Sequence, residues 1–179
     1  MQYIRPPRAN LPQSKVGAMT DTTGTYKLWR KLSDKPLGKL AFSAGASLKA
    51  PYFASVTPYV SELEYGHAVV KGPKWWFVQN HIGTFHAIAA CNLAEVGMGM
   101  VMEASTPSTH RWLPKSMKVD YLAKAESSLT ATATFLEPVD WDAITAGQDV
   151  VVDIAIRDNK GTEVVHAQIT TWVTPKPVK

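Results

Sequence analysis

Hydrophobic and polar residues alternate most regularly in the last third of the chain. Leu129, Ala131, Ala133 and Phe135 are separated by Thr130, Thr132 and Thr134. A period of two is typical of a strand with one buried face. The same alternation recurs over residues 150–156 and 164–173, and the run Asp158-Asn159-Lys160-Gly161 between them has the composition of a hairpin turn. The pattern predicts three neighbouring antiparallel strands.

Weaker alternation predicts further extended segments earlier in the chain. Residues 59–65 and 68–70 flank a turn at Gly66-His67, and residues 112–122 place Met117, Val119 and Tyr121 on one face. Residues 75–78 are predicted as a short apolar strand or loop, and residues 141–144 as a helical turn. Short links between strands favour an antiparallel sheet.

The segment from Asn80 to Gly97 has a different pattern, because it is rich in alanine and apolar around its whole circumference. Such a pattern predicts a buried helix, here over residues 85–96 with Thr84 as its cap. Gly97 and Gly99 are expected to loosen the chain beyond it. Glu95 is the unusual residue, since a carboxylate on a buried helix is costly without a partner or a function.

The N-terminal part predicts helices over residues 25–32 and 37–48, preceded by a proline-containing arm. We therefore divide the chain into a flexible arm (1–20), a helical extension (21–55), a main domain (56–175) and a tail (176–179). The two helices are too small to form a core of their own. The sequence pattern does not decide whether they cover the outer face of the sheet or cap an acyl tunnel.

These elements predict an α+β fold in which an antiparallel sheet curls around one long helix. At 179 residues the chain suits one domain. No apolar run reaches the ~18 residues of a membrane helix, and the first residues do not form a secretion signal. The one cysteine, Cys91, is assigned to packing, and a reducing cytoplasm is the expected compartment.

The net charge of +4 does not predict nucleic-acid binding. Five of the 19 basic residues lie in residues 1–20 and the tail, which leaves 14 against 15 acidic ones. A nucleic-acid binder is expected to cluster its basic residues on one face.

Several chemistries are excluded by their missing motifs, among them the serine-hydrolase elbow, the P-loop, the dinucleotide fingerprint and the zinc-protease helix. His81 and His86 are five residues apart without a third ligand nearby, so no metal site is predicted. The acidic pairs Glu62/Glu64 and Asp140/Asp142 are interpreted as solvated residues.

The predicted helix itself offers chemistry. Its first turn presents unpaired N–H groups and the positive end of the helix dipole, which can bind an anion or a developing oxyanion. Glu95 lies nine residues beyond His86, or about 13 Å along the axis at 1.5 Å per residue. One helix cannot bring both ends to one site, whereas an antiparallel copy in a dimer can. Each residue also has a structural alternative: Asn80 as a loop cap, His86 bonded to a backbone carbonyl, Glu95 as a partly exposed helix-end residue.

The run Asn80-His81-Ile82-Gly83-Thr84-Phe85-His86, with an acid nine residues after the last histidine, resembles a known motif. It is similar to the N-x-x-G-T-x-H-G-G…D/E segment of hotdog-fold thioesterases of the phenylacetate-degradation type, and to an uncharacterised hotdog branch with N-H-x-G-T-x-H-A. The resemblance covers about residues 56–175. It implies the hotdog fold, a curled antiparallel sheet around one helix, assembled as a homodimer or tetramer.

The resemblance also implies roles for individual residues. Ala87 supplies a backbone N–H to the thioester carbonyl, Glu95 of the other subunit acts as general base or nucleophile, and Asn80 is an amide that positions water or the thioester. His86 shapes the loop. The expected substrate is an acyl-CoA or another acyl thioester, with no cofactor apart from the coenzyme A of the substrate. The expected substrate-binding residues are Gly83, Thr84, Ile88, Arg111, Lys115 and Lys118, with Lys124 as a further phosphate contact.

The sequence departs from the motif at Ala87-Ile88, where the family has two glycines, and in having Glu at position 95. Ile88 narrows the approach of a ligand to the backbone. The leading hypothesis is a cytoplasmic acyl-CoA thioesterase. The alternative is a non-catalytic acyl-CoA-binding or regulatory hotdog protein, and a hydratase is a third class whose motif spacing is not found here.

Overall fold

The computed structural model describes residues 23–177, so the arm predicted over residues 1–20 and the end of the predicted tail lie outside the described residues. The helices are α1 (Gly24–Leu32), α2 (Gly38–Lys49) and α3 (Ala87–Ser105). The strands are β1 (Tyr59–Glu64), β2 (His67–Gly72), β3 (His110–Tyr121), β4 (Leu129–Phe135), β5 (Gln148–Arg157) and β6 (Glu163–Pro175). Short 3-10 helices span Pro51–Val56, Trp76–Val78 and Trp141–Ala143.

The six strands form one sheet in the order β1-β2-β4-β5-β6-β3, and every neighbouring pair is antiparallel. Helix α3 contacts all six strands, which requires the sheet to curl around it. This is the predicted α+β architecture. Tight turns join β1 to β2 and β5 to β6, and Gly66 and Gly161 adopt the positive φ angles of 68° and 82° that such turns need.

The alternation of apolar and polar residues in the sequence matches the alternation of buried and half-buried residues along the strands. In β4, residues Leu129, Ala131 and Ala133 are buried against α3 while the threonines between them are half-buried on the outer face. Ile154 and Ile156 of β5 continue the same buried layer through their pairing with β4. The apolar core therefore lies between α3 and the inner face of the sheet.

Helix α3 is longer than predicted, and its start differs. His86 is the N-cap in place of Thr84, and the helix passes through Gly97 and Gly99 to Ser105. A Cβ atom at position 97 would lie 3.3 Å from the Cβ of Ala133, so the glycine lets the helix approach the sheet closely. Packing, and not helix propensity, explains Gly97.

Among the described helices, α3 alone is long and apolar enough to cross a membrane. It is however the core helix, since 61% of its 18-residue apolar window is buried inside the fold. Asn92, Glu95 and Glu103 interrupt its apolar residues, and its burial in the core explains the composition.

The extension packs against the edge of the sheet and adds to the main core, as expected of two helices too small to form a core of their own. Trp29 of α1 and Phe42 of α2 are buried in the same core, with ring centroids 5.1 Å apart in an edge-to-face arrangement. Ser43 of α2 accepts the Val60 N–H at 2.9 Å, and Lys39 donates to the Ser61 carbonyl at 2.7 Å. Helix α2 thus covers the outer edge of β1.

The remaining short elements differ little from prediction. Helices α1 and α2 begin and end within one residue of the predicted spans. The helical turn near residue 141 is confirmed. The segment predicted as a strand or loop before Asn80 instead contains the 3-10 helix Trp76–Val78.

Candidate functional site

The loop that precedes α3 is built around Asn80. Its Oδ1 accepts the N–H groups of Ile82 and Thr84, each at 3.1 Å, and its Nδ2 donates to Thr84 Oγ1 at 2.7 Å. Gly83 has a φ of 77°, which an L side chain rarely adopts, and donates its N–H to the Asn80 carbonyl. Asn80, Gly83 and Thr84 therefore fix one turn together.

The residues that follow this turn are held by two neighbouring segments, the loop between β3 and β4 and the 3-10 helix Trp76–Val78. Phe85 is buried and donates its N–H to the Ala125 carbonyl at 2.8 Å, and His86 donates its N–H to the Val78 carbonyl at 2.8 Å. The start of α3 is thereby held in a defined position.

The first turn of α3 keeps an accessible N–H group. His86 Nδ1 accepts the Ile88 N–H at 3.1 Å, so a neutral His86 ring carries its proton on Nε2. The Ala87 N–H bonds to no other described residue, and Ala87 and Ile88 are both exposed. The helix therefore begins with a free donor at the positive end of its dipole.

Ile88, Cys91 and Glu95 form an accessible stripe along α3, because their spacing of three and four residues places them on one face. Ile88 is 59% exposed, and Cys91 and Glu95 are half-buried. Within residues 23–177 the Glu95 carboxylate has no hydrogen-bond or ion-pair partner. A half-buried carboxylate without a partner is available for proton transfer.

The accessible stripe is bordered on both sides. On one side Asn92 donates to Ser55 Oγ at 2.7 Å, which attaches the 3-10 helix Pro51–Val56 of the extension to α3. On the other side the Tyr121 hydroxyl, at the end of β3, lies 3.1 Å from Cys91 Sγ. The stripe is thus the floor of a trough between the extension and β3.

Three of the predicted phosphate-binding residues lie away from the trough. Arg111 donates to Thr174 Oγ1 at 3.1 Å, and Lys118 lies 3.8 Å from the Asp120 carboxylate. Lys115 contacts the Asp149 carboxylate at 2.8 Å and stacks on the Trp172 ring. Their pairing partners place these side chains on the sheet face opposite α3. Lys124 differs, since it is exposed beside Ala125, whose carbonyl holds the loop before α3.

The remaining features concern metal binding and cavities. Among the described residues, no group of three or more His, Cys, Asp or Glu side chains is placed to bind a metal ion. Two surface cavities, one near Trp112 and one near Trp75, are lined by neither Ala87 nor Glu95. The trough is an open surface in a single copy of the chain.

The sequence indicated the loop and Glu95 but missed the two sides of the trough. Tyr121 belongs to the face predicted for residues 117, 119 and 121, yet that face gave no reason to link it to Cys91. Cys91, assigned to packing, is half-exposed and contacts Tyr121. The only available signal was that Cys91 is one helical turn from Glu95.

Chemically, the trough combines an N–H donor at one end of α3 with a free carboxylate eight residues away, about 12 Å along the axis. The donor suits a carbonyl oxygen that gains negative charge, and the carboxylate suits activation of water. The two groups act on one substrate only if they come from two copies.

Comparison with known proteins assigns the chain to a family. The family described as "Domain of unknown function (DUF4442)" matches residues 38–173. No curated protein matches significantly. The structural-genomics crystal structure APC5556 is 39% identical, with a TM-score of 0.73 over 85% of this chain and 99% of that one.

Two other solved structures carry descriptions. Thioesterase HI1161 from Haemophilus influenzae is 16% identical, with a TM-score of 0.65 over 80% of this chain and 95% of that one. The E. coli PaaI protein from the phenylacetic acid degradation operon is 18% identical, with a TM-score of 0.58 over 74% of this chain and 96% of that one. The curled sheet around α3 is therefore the hotdog fold of these two structures, and the chain belongs to the family described as "Domain of unknown function (DUF4442)".

Proposed function

We propose that the protein is an acyl-CoA thioesterase whose active site forms between two copies of the chain. The observation that carries this proposal is the unpartnered, half-buried Glu95 on the same helix as the free Ala87 N–H. An antiparallel arrangement of two α3 helices brings Glu95 of one copy to Ala87 of the partner subunit. The name of the Haemophilus influenzae structure, a thioesterase, supports the same reaction.

In the proposed mechanism, Glu95 removes a proton from water, and the water oxygen attacks the thioester carbonyl carbon. The carbonyl oxygen becomes negative and accepts the N–H of Ala87 from the partner subunit, at the positive end of that helix. The C–S bond then breaks, and the proton held by Glu95 passes to the departing thiolate of coenzyme A. The products are a carboxylic acid and free coenzyme A, and the reaction needs no cofactor.

The loop residues have a positioning role in this proposal. Asn80, Gly83 and Thr84 fix the turn. His86 accepts the Ile88 N–H, so that this group is already bonded, whereas the exposed Ala87 N–H is free to donate to the substrate. Ile88 borders the thioester and limits the acyl groups that fit. For the coenzyme A phosphates we favour Lys124 over Arg111, Lys115 and Lys118, because those three face away from the trough.

The test is the variant Glu95→Gln, which keeps the shape of the side chain but cannot accept a proton. We expect acyl-CoA hydrolysis, measured as free thiol release over a panel of chain lengths, to fall at least about 100-fold. Glu95→Ala should lose it as well while the dimer persists. Glu103→Gln is the matched control, since Glu103 is also half-buried on α3 but lies eight residues further along. Full activity in Glu95→Gln would disprove the mechanism.

A non-catalytic acyl-CoA-binding protein is the second candidate, and one observation favours it. The exposed Ile88 side chain follows directly after the Ala87 donor, where the related motif has glycine. A tight acyl-CoA complex without turnover at any chain length would establish this function in place of hydrolysis.

A further inference from the structure

Tyr121 lies on the helix-facing side of the sheet although it is half exposed. Its partner across the strand pair is Val165, and the next pair on the same face is Val119 with Ala167. Val165 and Ala167 are buried against the core, so Tyr121 points toward α3 as well. It is nevertheless 53% exposed, because β3 ends beside the open trough.

The Tyr121 hydroxyl is held above the middle of the accessible stripe. It lies 3.1 Å from Cys91 Sγ, in a hydrogen bond in which either atom can donate. Cys91 is four residues from Ala87 and four from Glu95, which is about 6 Å along the axis in each direction. The hydroxyl is therefore about one helical turn along the axis from Ala87 and from Glu95, which belong to the two symmetry-related sites of the proposed dimer.

The contact with Cys91 leaves the hydroxyl available for a ligand. A thiol is a weak donor and a weak acceptor, so it does not saturate a phenol. Tyr65 provides a contrast, because its hydroxyl accepts a conventional hydrogen bond from Trp141 Nε1 at 2.9 Å in a partly buried position. The bond with Cys91 and partial burial raise the pKa of Tyr121 to about 12, so the phenol keeps its proton at neutral pH. It is a neutral donor facing the trough.

We propose that Tyr121 is a substrate-contacting residue of this site, whose hydroxyl donates a hydrogen bond to an acceptor on the substrate a few bonds from the thioester. This inference rests on the proposed thioester site. The distance of the Tyr121 hydroxyl from Ala87 and Glu95 places this hydroxyl beside the reacting carbonyl and not in contact with it. The acceptor is a carbonyl or hydroxyl oxygen, which belongs either to the acyl group or to the amide of the pantetheine arm. Cys91 is a positioning residue for the phenol.

The test uses Tyr121→Phe, which removes only the hydroxyl, with Tyr59→Phe on the outer face of β1 as the matched control. A neutral hydrogen bond is worth about 3- to 10-fold in affinity. We expect KM to rise by that factor in Tyr121→Phe, with kcat changed less and the melting temperature unchanged. Tyr59→Phe should match the wild type.

Two substrate pairs identify the source of the acceptor. If the pantetheine amide is the acceptor, the penalty of Tyr121→Phe persists with an acyl-N-acetylcysteamine and disappears with a simple alkyl thioester. If the acyl group is the acceptor, the penalty depends on a 3-hydroxyl or similar group on the acyl chain. A wild-type KM with every substrate would overturn the inference.

Binding of a non-hydrolysable acyl-CoA thioether, measured by calorimetry, separates this inference from the proposed reaction. If the wild type binds the thioether but hydrolyses no thioester, and Tyr121→Phe binds it about 3- to 10-fold more weakly, the thioesterase proposal fails and the role of Tyr121 stands. Equal affinity of the wild type and Tyr121→Phe overturns the role of Tyr121. If the wild type neither binds nor hydrolyses, both proposals are wrong.

Discussion

At the scale of single residues, the Asn80 side chain makes three hydrogen bonds, and all of them end inside its own loop. In the related motif, this amide positions water or the thioester. The hydrogen bonds of Asn80 support an indirect form of that role. Asn80 holds the turn, and the turn presents the start of α3.

Two variants of Asn80 separate these roles. Asn80→Ala removes all three bonds, and we expect it to lower the free energy of unfolding by about 1–3 kcal/mol and to reduce activity with it. Asn80→Asp keeps the oxygen that accepts two N–H groups. We expect its stability, measured by chemical denaturation, to stay within about 0.5 kcal/mol of wild type, with kcat retained.

A stable Asn80→Asp variant with a lost kcat would instead show that the amide N–H meets the substrate directly. The comparison of kcat with KM decides between the two roles, because a merely structural contact changes stability first.

Residue identity alone was enough to single out Glu95, since a lone carboxylate on an apolar helix is conspicuous in any sequence. The N-cap was not predictable in the same way. Thr84 has the preferred cap chemistry, but its hydroxyl is bonded to Asn80, and His86 caps the helix. The Tyr121–Cys91 contact joins residues 30 apart in sequence, so local pattern carries no trace of it.

At the scale of elements, the strands were predicted best because their period of two reflects burial directly. The end of α3 was predicted worst, because glycine usually weakens a helix. At Gly97 the close approach to Ala133 outweighs that propensity. The position of α1 and α2 could not be predicted, since it depends on which strand ends the sheet.

The contact of helix α2 with β1, the strand at one end of the sheet, leads to a prediction. Ser43 is 3% exposed, accepts the Val60 N–H of β1 and donates to the Lys39 carbonyl. We expect Ser43→Ala to lower the free energy of unfolding by about 1–3 kcal/mol, because a buried N–H loses its partner. Ser47→Ala, one turn further on the same helix, is the matched control and should be within about 0.5 kcal/mol of wild type. Equal effects in a denaturant titration would contradict the edge contact.

At the scale of the whole molecule, a single chain presents both parts of the site but cannot combine them. Antiparallel helices that place Ala87 opposite Glu95 of the partner subunit also place Cys91 opposite its own copy, because Cys91 lies midway between them. Helix packing distances of about 8–10 Å, with Cα atoms about 2.3 Å from each axis, bring the two Cα atoms to about 3.4–5.4 Å. This range allows a disulfide.

We therefore expect mild oxidation to cross-link two chains through Cys91, seen as a dimer band on a non-reducing gel. Since Cys91 is the only cysteine of the chain, the band has one interpretation. Cys91→Ser should abolish it, and Glu103→Cys in that background should not restore it, because position 103 is far from the two-fold axis. A dimer in solution that never cross-links would show that the helices are arranged differently.

The covered edge of β1 has a consequence for how many copies can join. If the edge strands at both ends of a sheet were exposed and unpaired, further chains could add to each end without limit, as in a fibre. Here Ser43 and Lys39 bond two backbone groups of β1, the Val60 N–H and the Ser61 carbonyl, and α2 covers that end of the sheet. Among the described residues β3 pairs only with β6, so the other end is open. Strand-to-strand association through β3 uses up the only open end of each chain. We expect such growth to stop at two copies, with the helical extension limiting polymerisation.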